Sequence, residues 1–181
     1  FNNPKSCIVS RKQGFTLIEL IIVIVILGIL AVTAAPRFID ISADARIASL
    51  EGMQSAMQGG AQLIYGKALI EGATNGSDTI DHGGATIELH SGYPIGNWQR
   101  GFRYVVTQDL QSFSSATAVC QAEWCGRGNQ TSIPSGISTT APGRIGKIFP
   151  KGYSWNDRCG VYYMNHEDGR EPEIGLVTED C

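Results

Sequence analysis

Residues Phe15 to Ala35 form an uninterrupted apolar run of 21 residues in which Glu19 is the only ionisable side chain. As an α-helix, a run of that length crosses about 30 Å of hydrocarbon. A carboxylate inside such a run costs about 2.5–3.5 kcal/mol on insertion scales, so Glu19 needs a reason. Lys5, Arg11 and Lys12 precede residue 14 and no acid does. The positive-inside rule then places the N-terminal side in the cytoplasm and the rest of the chain outside. The chain has 181 residues, enough for one domain plus a long extra element. Its first residue is Phe1 rather than Met, which leaves the start of the basic segment open.

Two ordinary readings of the run fall short. A secretory signal peptide has a basic segment, an apolar core and then small residues such as Thr33-Ala34-Ala35, but its core is shorter and carries no acid. A plain single-span anchor accounts for the length and leaves Glu19 unexplained.

The segment Gly14-Phe15-Thr16-Leu17-Ile18-Glu19 resembles the cleavage signature of type IV prepilins. The resemblance implies a cut between Gly14 and Phe15 by a prepilin peptidase, N-methylation of Phe15, and retention of the apolar run as membrane anchor and filament core. It also implies an assembly role for Glu19. Gly28 and Pro36 fall where type IVa pilins carry helix-weakening residues. Independently, Gly and Pro cost about 1 and about 3 kcal/mol inside a helix, so the stretch between them is the expected place for a kink or local melting. The implied organisation is a cleaved leader over 1–14, a transmembrane and filament-core helix over 15–36, and a head over 37–181. Within the head, 37–71 is an amphipathic helix and 72–181 holds a connecting loop, an antiparallel sheet and a disulfide region.

A lone carboxylate in lipid needs protonation or a partner. The cut would create a cation at Phe15, and a carboxylate–amine pair is strong in low dielectric while an unpaired charge is costly there. Glu19 is therefore expected to set the register in which each subunit docks on the amine of a neighbour.

Beyond Pro36, apolar residues recur at Ala43, Ile47, Leu50, Met53, Met57, Ala61, Ile64 and Ala68 in steps of three or four, which predicts an amphipathic helix packed on the protein's own sheet. Taken from Phe15 to about Ile70, the helix would be roughly 80 Å long. Turn formers from Glu71 to Asp78 end it. The stretch from Gly72 to Arg100 reads as an irregular connection with one strand, Ala85 to His90. Further strands are expected at Gly101 to Thr107, Tyr153 to Asn165 and Ile174 to Thr178. Gly126 to Pro150 reads as surface loop with a candidate strand at Ile145 to Phe149. The fold class is α+β, a long helix on an antiparallel sheet, as in the type IV pilin fold that the motif implies.

Of five cysteines, Cys7 lies in the leader, and Cys120, Cys125, Cys159 and Cys181 form an even set suited to two disulfides. Three pairings exist and sequence alone does not choose. Cys120–Cys125 with Cys159–Cys181 is favoured because both close local loops. The spacings lack the paired short gaps of a zinc ribbon. A C-terminal disulfide loop, exposed and variable, is usual in type IV pilins, and closing a loop of about 20 residues contributes roughly 3 kcal/mol.

Asp44-Ala45-Arg46-Ile47 and Gln58-Gly59-Gly60-Ala61 through Tyr65-Gly66-Lys67-Ala68 resemble the helix of mannose-sensitive haemagglutinin pilins. That branch implies surface attachment and biofilm formation, with contact to surface glycans or chitin. Trp98, Trp124 and Trp155 are candidates for stacking on sugars, with buried packing the commoner use of such rings. The other implied partners are further copies in a helical homopolymer, the peptidase, the inner-membrane assembly machinery and the membrane before assembly. The chain is then inner-membrane at first and extracellular after assembly. A type II secretion pseudopilin and a minor pilin that primes filaments or serves DNA uptake share the N-terminal signature.

With Lys5, Arg11 and Lys12 taken from the 14 bases, 11 stand against 17 acids. That balance argues against nucleic acid as a partner. His82, His90 and His166 form no zinc-protease pattern, and no nucleophile-elbow sequence occurs. Asp78 and Asp81 lack the spacing of a calcium loop. No enzyme activity, cofactor or metal is expected.

Overall fold

The computed structural model describes residues 14–106, 110–139 and 143–181, without the side chains of 35–40. The leader expected over 1–14, with Lys5, Cys7, Arg11 and Lys12, lies outside these residues except for Gly14. The chain divides into two compact units, Phe1–Ser42 and Ala43–Cys181.

One helix, α1, runs Leu17–Glu71. In the first unit it is helical through Gly28 and Pro36. Pro36 has no N–H to give to the carbonyl one turn back, and close by the Thr33 hydroxyl donates to the Leu30 carbonyl at 3.0 Å. Leu17–Ala34 is the one helical segment among the described residues long and apolar enough to cross a membrane, and none of it is buried.

In the second unit, Leu50, Met53, Met57, Ala61, Ile64 and Ala68 are all buried, so the stripe read from the sequence is the helix's share of the core. The helix ends at Gly72, whose φ of 75° suits a residue without Cβ. Ala73 N–H donates to the Ala68 carbonyl at 2.8 Å and Gly72 N–H to that of Leu69 at 3.4 Å, the paired bonds of a Schellman stop.

Two sheets follow. The first has the order β1 (Ser77–His82), β2 (Ala85–His90), β3 (Tyr93–Pro94). The second is β4 (Gln111–Ser112), β5 (Trp124–Gln130), β6 (Arg144–Pro150), β7 (Gly160–Asn165) and β8 (Glu173–Val177), in that order. Both are antiparallel except where β4 joins β5 in parallel at the edge. They are tied together by Tyr163, whose hydroxyl donates to the Pro94 carbonyl at 2.6 Å. Asn165 Nδ2 adds bonds to the carbonyls of Tyr93 and Pro94 at 3.2 and 3.1 Å.

Four sequence expectations change, the first being that the strand expected at Tyr153 to Asn165 covers only Gly160–Asn165. Ser77–His82 is a strand, paired with Ala85–His90 through a two-residue turn at Gly83 and Gly84, both at positive φ, the mirror-turn geometry that suits hairpins. Gly101 to Thr107 holds no strand among its described residues. Phe102–Val105 is a 3-10 helix whose buried residues, Phe102 and Val105, are three apart. Trp124–Gln130 is a strand rather than the start of a surface loop. Its glycines are sites of close approach: a Cβ at Gly126 would lie 1.9 Å from the Trp98 ring, and one at Gly128 2.6 Å from Phe102. Gly146 on β6 is likewise covered by Phe102, 2.0 Å from a Cβ there. Phe102 in turn stacks on Tyr163 with ring centres 5.6 Å apart.

The neighbouring glycines of α1 give a paired test. A Cβ at Gly60 would sit 1.9 Å from the Val105 carbonyl oxygen, whereas one at Gly59 meets nothing within 4 Å. Gly60→Ala is expected to destabilise the second unit by about 1–3 kcal/mol through overpacking. Gly59→Ala is expected to stabilise it by about 0.5–1 kcal/mol through helix propensity. Urea midpoints of the full chain in detergent measure both.

Candidate processing and assembly site

The N-terminus of α1 is held by a reciprocal cap. Thr16 donates from its backbone N–H and its hydroxyl to Glu19 Oε2, at 2.8 and 2.7 Å. Glu19 N–H donates back to Thr16 Oγ1 at 3.3 Å. This is a capping box, with Thr16 at the N-cap and Glu19 three residues on. Glu19 also lies in the first turn, where the helix dipole favours negative charge. The sequence reading pairs Glu19 with an amine at Phe15, of its own or a neighbouring chain, and not with a helix cap. The Thr-x-x-Glu spacing was the signal that would have found one.

The cap leaves room for a second partner. Both bonds to the carboxylate end on Oε2, and Oε1 has no hydrogen bond among the described residues. Phe15, the first residue after the expected cut, is adjacent to the cap and 85 % exposed. Gly14 has open space around it, so the backbone at this junction is not packed against the described part of the chain. Gly28 is also unencumbered. The structure thus brings Gly14, Phe15, Thr16 and Glu19 together at one helix end and leaves Gly28 and Pro36 further along the same helix.

The four head cysteines are bonded as Cys120–Cys125 and Cys159–Cys181. The second bond encloses β7 and β8. Two residues not singled out as functional by the sequence hold its far end. The Arg46 guanidinium donates to the Tyr153 hydroxyl at 3.0 Å and to the Cys181 carbonyl, and the Tyr153 hydroxyl donates to the same carbonyl at 3.1 Å. Arg158 and Asp180 close the loop mouth with contacts of 2.8 and 3.2 Å. The Arg158 guanidinium beside Asp180 holds that carboxyl below its usual range.

Trp98 and Trp155 are buried, at 4 % exposure each, and Trp124 packs on the core. Burial removes the faces of Trp98 and Trp155 as sugar-stacking surfaces. His166 is also buried. Its Nε2 lies 3.4 Å from Glu173 Oε2.

A family profile described as the prokaryotic N-terminal methylation motif matches residues 9–35. Among curated proteins, the type IV narrow pilus major component PilA5 of Thermus thermophilus is 50 % identical over 48 residues, 26 % of this chain and 41 % of that protein. A fimbrial protein of Pseudomonas aeruginosa is 36 % identical over 76 residues, covering 41 % of this chain and 49 % of the relative. One of Moraxella nonliquefaciens is 34 % identical over 87 residues, 43 % and 55 % respectively. The chain thus spans about half the length of the curated relatives it matches. No solved structure matches it significantly. The long helix, the antiparallel sheet and the Cys159–Cys181 pair fit the α+β fold of type IV pilins, and the chain carries their N-terminal methylation motif.

Proposed function

We propose that this protein is the structural subunit of a type IV pilus, of the mannose-sensitive haemagglutinin branch, serving surface attachment and biofilm formation. The reading is carried by one observation: a methylation motif opens an exposed apolar helix whose single acid sits beside the cleavage junction. The peptidase cuts between Gly14 and Phe15, and Phe15 is N-methylated. The segment 15–36 anchors the subunit in the inner membrane with the leader in the cytoplasm, then packs in the core of a helical homopolymer. The stretch between Gly28 and Pro36 is where the helix loosens as it packs. The head, 37–181, is extracellular, and the assembly machinery of the inner membrane drives the transfer.

The Cys159–Cys181 loop favours a pilin over a secretion pseudopilin, whose heads often lack it. Mass spectrometry of filaments sheared from cells tests the reading. The expected species starts at N-methyl-Phe15, carries Cys120, Cys125, Cys159 and Cys181 oxidised, and dominates the preparation. A chain that keeps its leader, or is absent from sheared filaments, overturns the proposal.

A further inference from the structure

Between the end of α1 and the start of β1 the chain passes through Asn75-Gly76, the one Asn-Gly step in the sequence. Both residues are exposed. Gly76 has a φ of 63°, and a Cβ there would meet nothing within 4 Å. The N–H groups of Thr74, Asn75 and Gly76 donate no backbone hydrogen bond among the described residues. The Gly76 carbonyl, by contrast, accepts from the Ser91 N–H at 2.7 Å. Each peptide unit is a rigid plane, so the β1–β2 hairpin fixes the unit after Gly76 and leaves the one before it unbonded. That preceding unit carries the Gly76 nitrogen, which can close a five-membered ring on the side-chain amide of Asn75.

We propose that Asn75 is a self-modification site, at which the folded chain converts its own asparagine to isoaspartate and aspartate. The Gly76 nitrogen loses its proton to solvent base and attacks Asn75 Cγ. The N–Cγ bond forms, the Cγ–Nδ2 bond breaks, and Nδ2 takes a proton from solvent and leaves as ammonia. Water then opens the cyclic imide. Attack at the Asn75 backbone carbonyl gives isoaspartate, with the backbone rerouted through Cβ, and attack at Cγ gives aspartate. The chain and water supply every atom, and nothing is oxidised or reduced. Glycine suits the step because no side chain crowds its nitrogen and its backbone turns freely.

The other asparagines among the described residues each lack part of this arrangement. Asn97 and Asn165 are buried, with Asn97 Oδ1 accepting from the Gln99 N–H at 3.0 Å and Asn165 Nδ2 bonded to the Pro94 carbonyl. Asn129 and Asn156 are exposed, but the residues after them are Gln130 and Asp157, whose side chains crowd the attacking nitrogen. Asn75 also lines a surface cleft of about 430 Å³, so water has access to the imide. Glu171 lines the same cleft and no Lys or Arg does. Each event adds one negative charge there, so this patch of the head turns more acidic with the age of the molecule, without an enzyme.

The test incubates the full chain in a zwitterionic detergent, folded and in parallel unfolded in guanidinium chloride. Peptide mass spectrometry, with fragmentation that separates isoaspartate from aspartate, follows each asparagine over time. Modification of Asn75 in the folded chain is expected within tenfold of the unfolded rate. It is expected to rise with pH and to run at least tenfold faster than at Asn129 or Asn156. Asn75→Gln is expected to abolish the acidic species seen on isoelectric focusing at an unchanged unfolding midpoint, because its longer side chain must close a six-membered ring. Folded chain protected more than tenfold relative to unfolded chain, equal rates at Asn75, Asn129 and Asn156, or the same acidic species from Asn75→Gln overturns the proposal.

Discussion

Glu19→Ala is expected to leave cleavage at Gly14 and membrane insertion intact while reducing filament yield roughly tenfold or more, the factor that about 1.4 kcal/mol represents. Breaking one side of a charge pair in low dielectric costs more than that, because the remaining amine stays buried without a partner. The substitution also removes the helix cap, so alone it cannot separate the two roles. Glu19→Gln and Thr16→Ala do. A glutamine at that position still completes a capping box with Thr16 but carries no charge. Thr16→Ala removes the cap, at about 1 kcal/mol, and keeps the charge. If pairing with a neighbour's amine governs docking, Glu19→Gln assembles as poorly as Glu19→Ala, and Thr16→Ala retains most of the yield. If Glu19→Gln filaments form at the normal level, the carboxylate matters only as a cap and the docking role is wrong. Immunoblots of cleaved chain in membranes and of sheared filaments read both quantities.

The parts of this fold that were legible in the sequence are those set by local periodicity and by strong stop signals. The stripe from Leu50 to Ala68 declares one buried helix face, and Gly72 ends the helix because its left-handed φ is available at no steric cost. The expected Cys159–Cys181 loop is likewise present. What was not legible depends on residues far apart in the chain. Gly126, Gly128 and Gly146 read as loop or weak strand because their use is to admit the rings of Trp98 and Phe102. Alternation at Phe102, Tyr104 and Val106 suggests a strand, but no ladder partner among the described residues reaches them and Phe102 is drawn into the core between helix and sheet. Cross-strand register, which no single strand specifies by itself, brought Arg127 opposite Lys147. At the processing site the motif was legible as a whole, while the cap inside it needed the threonine three residues earlier to be read with Glu19.

Removing the Cys159–Cys181 bond with Cys159→Ala and Cys181→Ala is expected to cost the head about 3 kcal/mol, against about 2 kcal/mol for the pair at Cys120 and Cys125. The difference follows from the separations, 22 and 5 residues, since a longer closed loop restricts the unfolded chain more. The folded state adds a second consequence. The disulfide holds the Cys181 carbonyl where Arg46 on α1 and Tyr153 both donate to it, and the Arg46 guanidinium also lies 5.3 Å from the centre of the Tyr153 ring. Arg46→Met in the oxidised protein should therefore cost about 1.5–3 kcal/mol, typical of a hydrogen bond involving a charged group. With both cysteines replaced, the carbonyl is no longer held and the same substitution should cost little. A double-mutant cycle on urea midpoints gives the coupling directly. A coupling of at least about 0.5 kcal/mol means that the disulfide positions the clasp on the helix. Strict additivity would mean that the last residues stay docked through Arg158 and Asp180 whether or not the bond is present.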